Sequence, residues 1–204
     1  SLENARIRGL AMNLPQFIPG QPLPCVSING LPKTVSGLWG LFEIRMSVQQ
    51  PANSQIRIPL TRRSYLPVFM SNEGKLFMPT ARHIWDQLLT DDLRIDSLRD
   101  SNESIAAGEK LLSAAEQAGQ EIFETMQDAH FAAVTREEER GIIAFASRRK
   151  AIDRLGLPEV RQFRLARLDE DESQWRGELK SARQIVPEIR PLLMLNIGNG
   201  GVCE

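Results

Sequence analysis

Hydrophobic and polar residues alternate over residues 38–48, where an apolar side chain or glycine stands at every second position. Charged residues such as Glu43 and Arg45 occupy the positions between, so the pattern predicts a half-buried strand. Shorter apolar runs predict further strands at 25–28, 55–60, 65–70 and 75–78. The polar turn ending at Gly74 predicts a hairpin, because glycine tolerates positive φ. We therefore expect a sheet over residues 23–78.

A different pattern begins near residue 103 and continues to 186, where apolar residues recur at intervals of three and four. This spacing is typical of helices that pack along a seam, and it is clearest around Trp175 and Leu179. Gly156 and Pro158 interrupt the run with the residues preferred after the end and at the start of a helix. The sequence therefore predicts a helical hairpin with a turn at Gly156.

The two predicted helices of the hairpin differ in length. The returning helix has about 28 residues, and the outgoing run is nearly twice as long. Its first part must pack on something else, or the run must break. Thr135 and Glu138 form a capping-box pattern that marks a possible break.

The remaining elements complete an α+β prediction. A short helix is expected at 81–89, a charged connector at 91–100, and a buried strand returning to the sheet at 191–197. We expect an antiparallel or mixed sheet, a coiled-coil-like hairpin and a closing C-terminal strand in one structural unit. Its predicted segments are an extended stretch over 1–22, a β-rich base over 23–100, a helical arm over 101–187, and a strand and tail over 188–204.

Charge is balanced overall but uneven along the chain. The 204 residues carry a formal net charge of -1, yet residues 1–90 hold 9 Lys/Arg against 4 Asp/Glu. Residues 91–204 hold 16 Lys/Arg against 22 Asp/Glu. The balance argues against a wholly basic nucleic-acid-binding domain, and no apolar run is long enough to predict a membrane span. Two distant cysteines, Cys25 and Cys203, predict reduced thiols and a cytoplasmic location.

Residue patterns for catalysis are weak in this sequence. It has neither a phosphate-binding loop ending in Lys-Ser/Thr nor a dinucleotide fingerprint. His83 and Asp86 stand one helical turn apart and could form an acid–base pair, but a surface role is the simpler interpretation. Cysteines and histidines lack zinc-ligand spacing. We therefore predict no catalytic residues, no metal and no cofactor.

Basic residues gather around the predicted hairpin turn. Seven cations stand there against only Asp153 and Glu159: Arg148, Arg149, Lys150, Arg154, Arg161, Arg164 and Arg167. Such a tip can bind phosphates, or it can be a solvated surface whose arginines pair with nearby carboxylates. Phe163 is the one aromatic residue at the turn, so we expect base stacking to be minor. A weaker second patch comprises Arg57, Arg62 and Arg63 at a predicted sheet edge.

The segments REEERGIIAFASRRKAIDRLGLPEVRQFRLARL and QIVPEIRPLLMLNIG resemble the C-terminal region of some bacterial Swi/Snf-type helicase-like ATPases. GLWGLFEIRM and LFMPTARHIWDQLL fit the same region, so the resemblance covers roughly residues 36–197. It implies a helical hairpin and closing strand that follow an ATP-hydrolysing motor lying elsewhere in a larger protein. The motor's motifs are absent here, so no functional residue is carried over.

These observations favour a non-catalytic accessory domain that guides nucleic acid or docks a partner through its arm. Two alternatives stay open. The chain could be a protein–protein adapter acting through a coiled coil, with an acidic surface as partner, or an enzyme with an unrecognised site in the sheet.

Overall fold

The computed structural model describes residues 16–28, 30–32, 34–49, 54, 56–88 and 94–198. These residues form β1 (Leu23–Ser27), β2 (Gly37–Val48), β3 (Thr61–Ser71), α1 (Met78–Leu88), β4 (Arg94–Arg99), α2 (Ser101–Asp153), α3 (Pro158–Ala182) and β5 (Ile185–Ile197). The strands make one sheet in the order β3-β2-β5-β1-β4. Because β4 is antiparallel and β5 parallel to β1, the sheet is mixed. The predicted α+β class and returning strand are confirmed.

The chain divides into two compact units. Unit 1 takes Ser1–Arg45, Arg63–Ile122 and Ile189–Glu204, and unit 2 takes Met46–Arg62 and Phe123–Glu188. The continuous helix α2 therefore contributes its first part to unit 1 and the rest to unit 2. Much of the predicted segment 1–22, the tail after residue 198, and Cys203 lie outside the described residues.

One face of the unit 1 sheet packs against α1. Trp39 of β2 is fully buried and stacks on Trp85 of α1, with ring centroids 5.8 Å apart. The Trp39 indole Nε1 also donates a hydrogen bond to the carbonyl oxygen of Ala81 at 3.0 Å. The same apolar cluster includes Leu41 and Ile84, so α1 is held to the sheet mainly by burial of apolar surface.

The other face of the unit 1 sheet packs against the first part of α2. A Cβ at Gly119 would lie 2.8 Å from Ile44 Cδ1, so this glycine allows the helix to approach β2 closely. Because α1 covers one face of the sheet and α2 the other, most of β2 is buried, and the prediction of a half-buried strand is wrong. Even Glu43, expected on a polar face, is buried and pairs with Arg63, whose Nε lies 3.4 Å from its carboxylate.

Unit 2 contains the predicted hairpin. The later part of α2 runs antiparallel to α3, since His130 contacts Ala182 and Phe145 contacts Trp175. Trp175 and Leu179 are buried in the seam, as predicted. The core cluster consists of Ile56, Ile58, Val134, Phe145, Leu168, Trp175, Leu179 and Ala182. Pro158 stands in the first turn of α3, where its missing N–H removes no helical hydrogen bond.

Three local predictions are wrong, each for a physical reason. Residues 56–60 do not form a strand, because Ile56 and Ile58 insert into the helical core of unit 2 instead of pairing with a neighbouring strand. The predicted strand 75–78 is reduced to a single bridge between Met70 and Leu76, and α1 already begins at Met78.

The third wrong prediction concerns the charged connector. Its residues 94–99 form the strand β4, which pairs with β1 through backbone groups whatever its side chains. By contrast, the possible break at Thr135 does not occur. Helix α2 continues through it, and its first part packs on the unit 1 sheet.

Candidate nucleic-acid interface

The predicted basic tip lies at a tight turn within unit 2. Helix α2 ends at Asp153, and α3 begins at Pro158 after four connecting residues. The Leu155 amide donates to the carbonyl of Ile152, and the Arg161 amide donates to that of Leu157, both at 3.0 Å. Gly156 does not adopt positive φ, so the turn does not use the left-handed cap that its sequence suggested. The short connection keeps cations of both helices close together.

Three of the predicted cations line one open groove between the helices. Arg148 comes from α2, while Arg164 and Arg167 come from α3, at the three-residue spacing that places side chains on one helical face. Apolar side chains, including Ile152 and Leu168, line the same groove, which has a volume of about 310 Å³. The Arg148 guanidinium also lies 5.7 Å above the Phe145 ring, which restricts its position. We call this groove, with its three arginines Arg148, Arg164 and Arg167, the arginine groove.

The arginine groove carries excess positive charge. None of its three arginines forms an ion pair with another described residue, and Asp171 is the carboxylate among the lining residues. Three further predicted cations surround the turn without an ion pair in the described part of the chain: Lys150, Arg154 and Arg161. Unpaired guanidinium groups on a partly apolar surface attract anions more strongly than paired ones do.

Arg149 behaves differently from its neighbours. Its guanidinium pairs with Asp169 and, at 3.1 Å, with Glu172 of α3. Arg176 contacts Glu172 at 2.7 Å, and its hydrogen bond is the main reason that the pKa of Glu172 is lowered, ahead of the charge and hydrogen bond of Arg149. Arg149 therefore holds the two helices together, and it is not available as a free cation.

The second predicted patch is largely occupied by internal contacts. Arg62 donates to the carbonyl oxygen of Ala129 at 3.4 Å within unit 2. Arg63 pairs with buried Glu43 within unit 1. Arg57 is exposed. The structure thus brings no cluster of free cations together at these three positions.

The two histidines lie in different surroundings within the described ranges. His83 and Asp86 line an open depression on α1 together with Arg82. His130 is fully buried, and its Nε2 lies 2.8 Å from the carbonyl oxygen of Ala182. A carbonyl oxygen can only accept, so Nε2 donates and the ring joins α2 to the end of α3. The described residues contain no group of three or more His, Cys, Asp or Glu side chains that could hold a metal ion.

Sequence reasoning missed two features of this site. It did not place Asp171 in the groove or pair Arg149 with Asp169 and Glu172. Residues that contact each other across two helices have no constant separation in the sequence. These contacts become visible only when the alignment of α2 against α3 is known. That alignment could have been approximated by counting outward from the Gly156 turn.

None of the helices in the described ranges is long and apolar enough to cross a membrane. No family model, no curated protein and no solved structure matches this chain.

Proposed function

We propose that this chain binds nucleic acid without sequence preference, through phosphate contacts to the arginine groove. The supporting observation is that Arg148, Arg164 and Arg167 line one groove from two helices and remain without ion pairs among the described residues. A guanidinium offers a planar fork of donors that matches two phosphate oxygens. Adjacent phosphates along a strand supply a repeating ligand for three such groups.

Contacts of this kind determine how binding depends on salt. Each neutralised phosphate releases condensed counterions, so three contacts give a log–log salt slope of about -3 on duplex DNA. Phosphates carry no sequence information, so affinity should be in the non-specific range of roughly 10⁻⁴ to 10⁻⁶ M near physiological salt.

Charge reversal tests the proposal. A variant with Arg148→Glu, Arg164→Glu and Arg167→Glu should bind a labelled DNA duplex at least about tenfold more weakly than the unmodified chain at low salt. A matched control reverses three exposed cations of unit 2 outside the groove: Arg136→Glu, Arg140→Glu and Lys180→Glu. Arg140 lies about 12 Å along α2 from Arg148, at 1.5 Å per residue. Circular dichroism verifies that both variants fold.

The two variants separate a groove from a general charge effect. Equal losses in both variants would show that net charge alone attracts DNA and would overturn the groove as the site. Unchanged binding in the groove variant would have the same consequence and would direct attention to exposed Arg57.

A wider role is part of the proposal. The resemblance of the hairpin and closing-strand segments to Swi/Snf-type helicase-like ATPases supports a bacterial accessory domain of a cytoplasmic DNA translocase, whose motor supplies the ATP hydrolysis. The groove would then hold DNA that the motor moves. The complete reading frame tests this: motor motifs are expected upstream of the sheet, and their absence would remove this wider role while leaving DNA binding intact.

A second candidate function is protein–protein docking. Ile142 and Ile143 of α2 are 53% and 67% exposed, so two adjacent large apolar side chains are open to a partner. A partner helix covering them would produce the adapter favoured as an alternative from the sequence. Concentration-dependent association that is abolished by Ile142→Gln with Ile143→Gln, together with no DNA binding, would favour this function over the first.

A further inference from the structure

Beside the arginine groove, α3 presents apolar side chains to solvent. Phe163 is 68% exposed and Val160 is 39% exposed. At 3.6 residues per turn, these two residues share about 100° of arc with Arg164 and Arg167. The cations and the exposed aromatic ring therefore lie on one side of the helix.

Phosphate binding to a duplex gives no reason for this exposed ring. A duplex presents sugars and phosphates on its outside and keeps its base faces stacked. A single strand presents base faces, and a base that stacks on an aromatic ring next to a cation gains both contacts. Phe163 makes no ring contact with another described aromatic residue, so its face is available.

From this arrangement we infer that the groove is selective for single-stranded nucleic acid, with Phe163 as a stacking platform for a base and Arg164 and Arg167 contacting the flanking phosphates. This inference rests on the proposed function and revises the expectation that stacking at the turn is minor. Stacking is tolerant of base identity, so the selectivity is for strandedness and not for sequence.

The test compares an oligothymidylate with a duplex of the same length, at low salt, using the full chain. The unmodified chain should bind the single strand more tightly than the duplex. Phe163→Ala should weaken single-strand binding by about 5- to 100-fold and leave duplex binding nearly unchanged. Phe163→Leu, which keeps an apolar side chain but removes the ring, should behave like alanine.

The variant Phe163→Trp distinguishes base stacking from a purely structural role of the ring. Tryptophan restores a stacking face, so single-strand affinity should return to at least the unmodified value. The other tryptophans, Trp39, Trp85 and Trp175, are buried. Quenching of the added indole by the oligothymidylate, and not by the duplex, would therefore report stacking directly.

Failure of this inference can be distinguished from failure of the proposed function. If the arginine variant loses binding while Phe163→Ala binds both nucleic acids normally, base stacking is overturned and phosphate binding stands. If Phe163→Ala weakens binding to the duplex as much as to the single strand, the ring does not act by stacking on a base and the inference is overturned. If the unmodified chain binds neither nucleic acid, both proposals fail.

Discussion

Gly141 shows how one missing side chain sets the distance between two helices. A Cβ at this position would overlap the indole ring of Trp175, which is buried against Phe145 with ring centroids 5.2 Å apart. Glycine weakens a helix interior by roughly 0.5–1 kcal/mol relative to alanine, but here it leaves the space that the indole fills. Packing thus outweighs helix propensity at this residue.

Gly141→Ala should therefore lower the free energy of unfolding of unit 2 by about 1–3 kcal/mol, the usual cost of overpacking. Gly177→Ala is the matched control, because a Cβ there meets no atom within 4 Å. It should raise the stability by about 0.5–1 kcal/mol. Denaturation followed by tryptophan fluorescence measures both. Similar effects in the two variants would contradict the packing of Trp175 on Gly141.

Ion pairs of Glu172 also stabilise the contact between α2 and α3. Arg176 and Arg149 stabilise its carboxylate and hold its pKa below the ordinary value of 4.5, although burial acts in the opposite direction. A lowered pKa in the folded state means that the charged form is favoured by folding. The resulting stability is present above pH 4.5 and is lost as the pH falls through the lowered value.

Glu172→Gln should consequently reduce stability at neutral pH, and its difference from the unmodified chain should shrink as the solution is acidified below pH 4.5. Glu170→Gln provides a charge-matched control on the same helix, at an exposed position. Urea denaturation over a pH series measures the difference. A difference that stayed constant with pH, or an equal effect of Glu170→Gln, would show that the ion pairs do not stabilise unit 2.

At the scale of elements, the sequence predicted those helices and turns whose signals lie close together along the chain. The turn before Pro158 and the seam through Trp175 were predictable because helix start signals and three–four spacing are local properties. The apolar run at 55–60 was predicted as a strand, because the sequence alone could not show that Ile56 and Ile58 pack into a core of helices.

Strand β4 illustrates the opposite error. Ile95 and Leu98 are 65% and 63% exposed, so burial imposes no alternation of apolar and polar residues on this edge strand. Its pairing with β1 depends on backbone hydrogen bonds that any sequence can make. The arginine groove was only partly predictable. The sequence shows that cations flank the turn, but it does not show which carboxylates of the facing helix lie near them.

At the scale of the whole molecule, each unit is assembled from separate stretches of chain. The sequence-based segments followed changes in composition along the chain. They therefore did not show that residues 46–62 join the helices of unit 2. Ile56 and Ile58 carry this long-range connection, which depends on tertiary packing.

The purified chain should not hydrolyse ATP, because its sequence contains no loop that could cradle phosphates beside a magnesium ligand. A phosphate-release assay with and without DNA measures this. Turnover that remains proportional to the chain through successive purification steps would contradict the prediction and revive the enzyme alternative.

The position of β5 has a consequence for how the chain folds as it is made. β5 lies between β2 and β1, and its Asn196 pairs with Cys25, 171 residues earlier. At about 5–20 residues per second, a ribosome needs roughly 10–30 s to travel that distance. For most of this interval β1 and β2 have been synthesised without the strand that will lie between them, and unpaired strand edges favour aggregation. The inner edges of β1 and β2 are therefore the surfaces of the nascent chain that would gain most from shielding until the sheet closes.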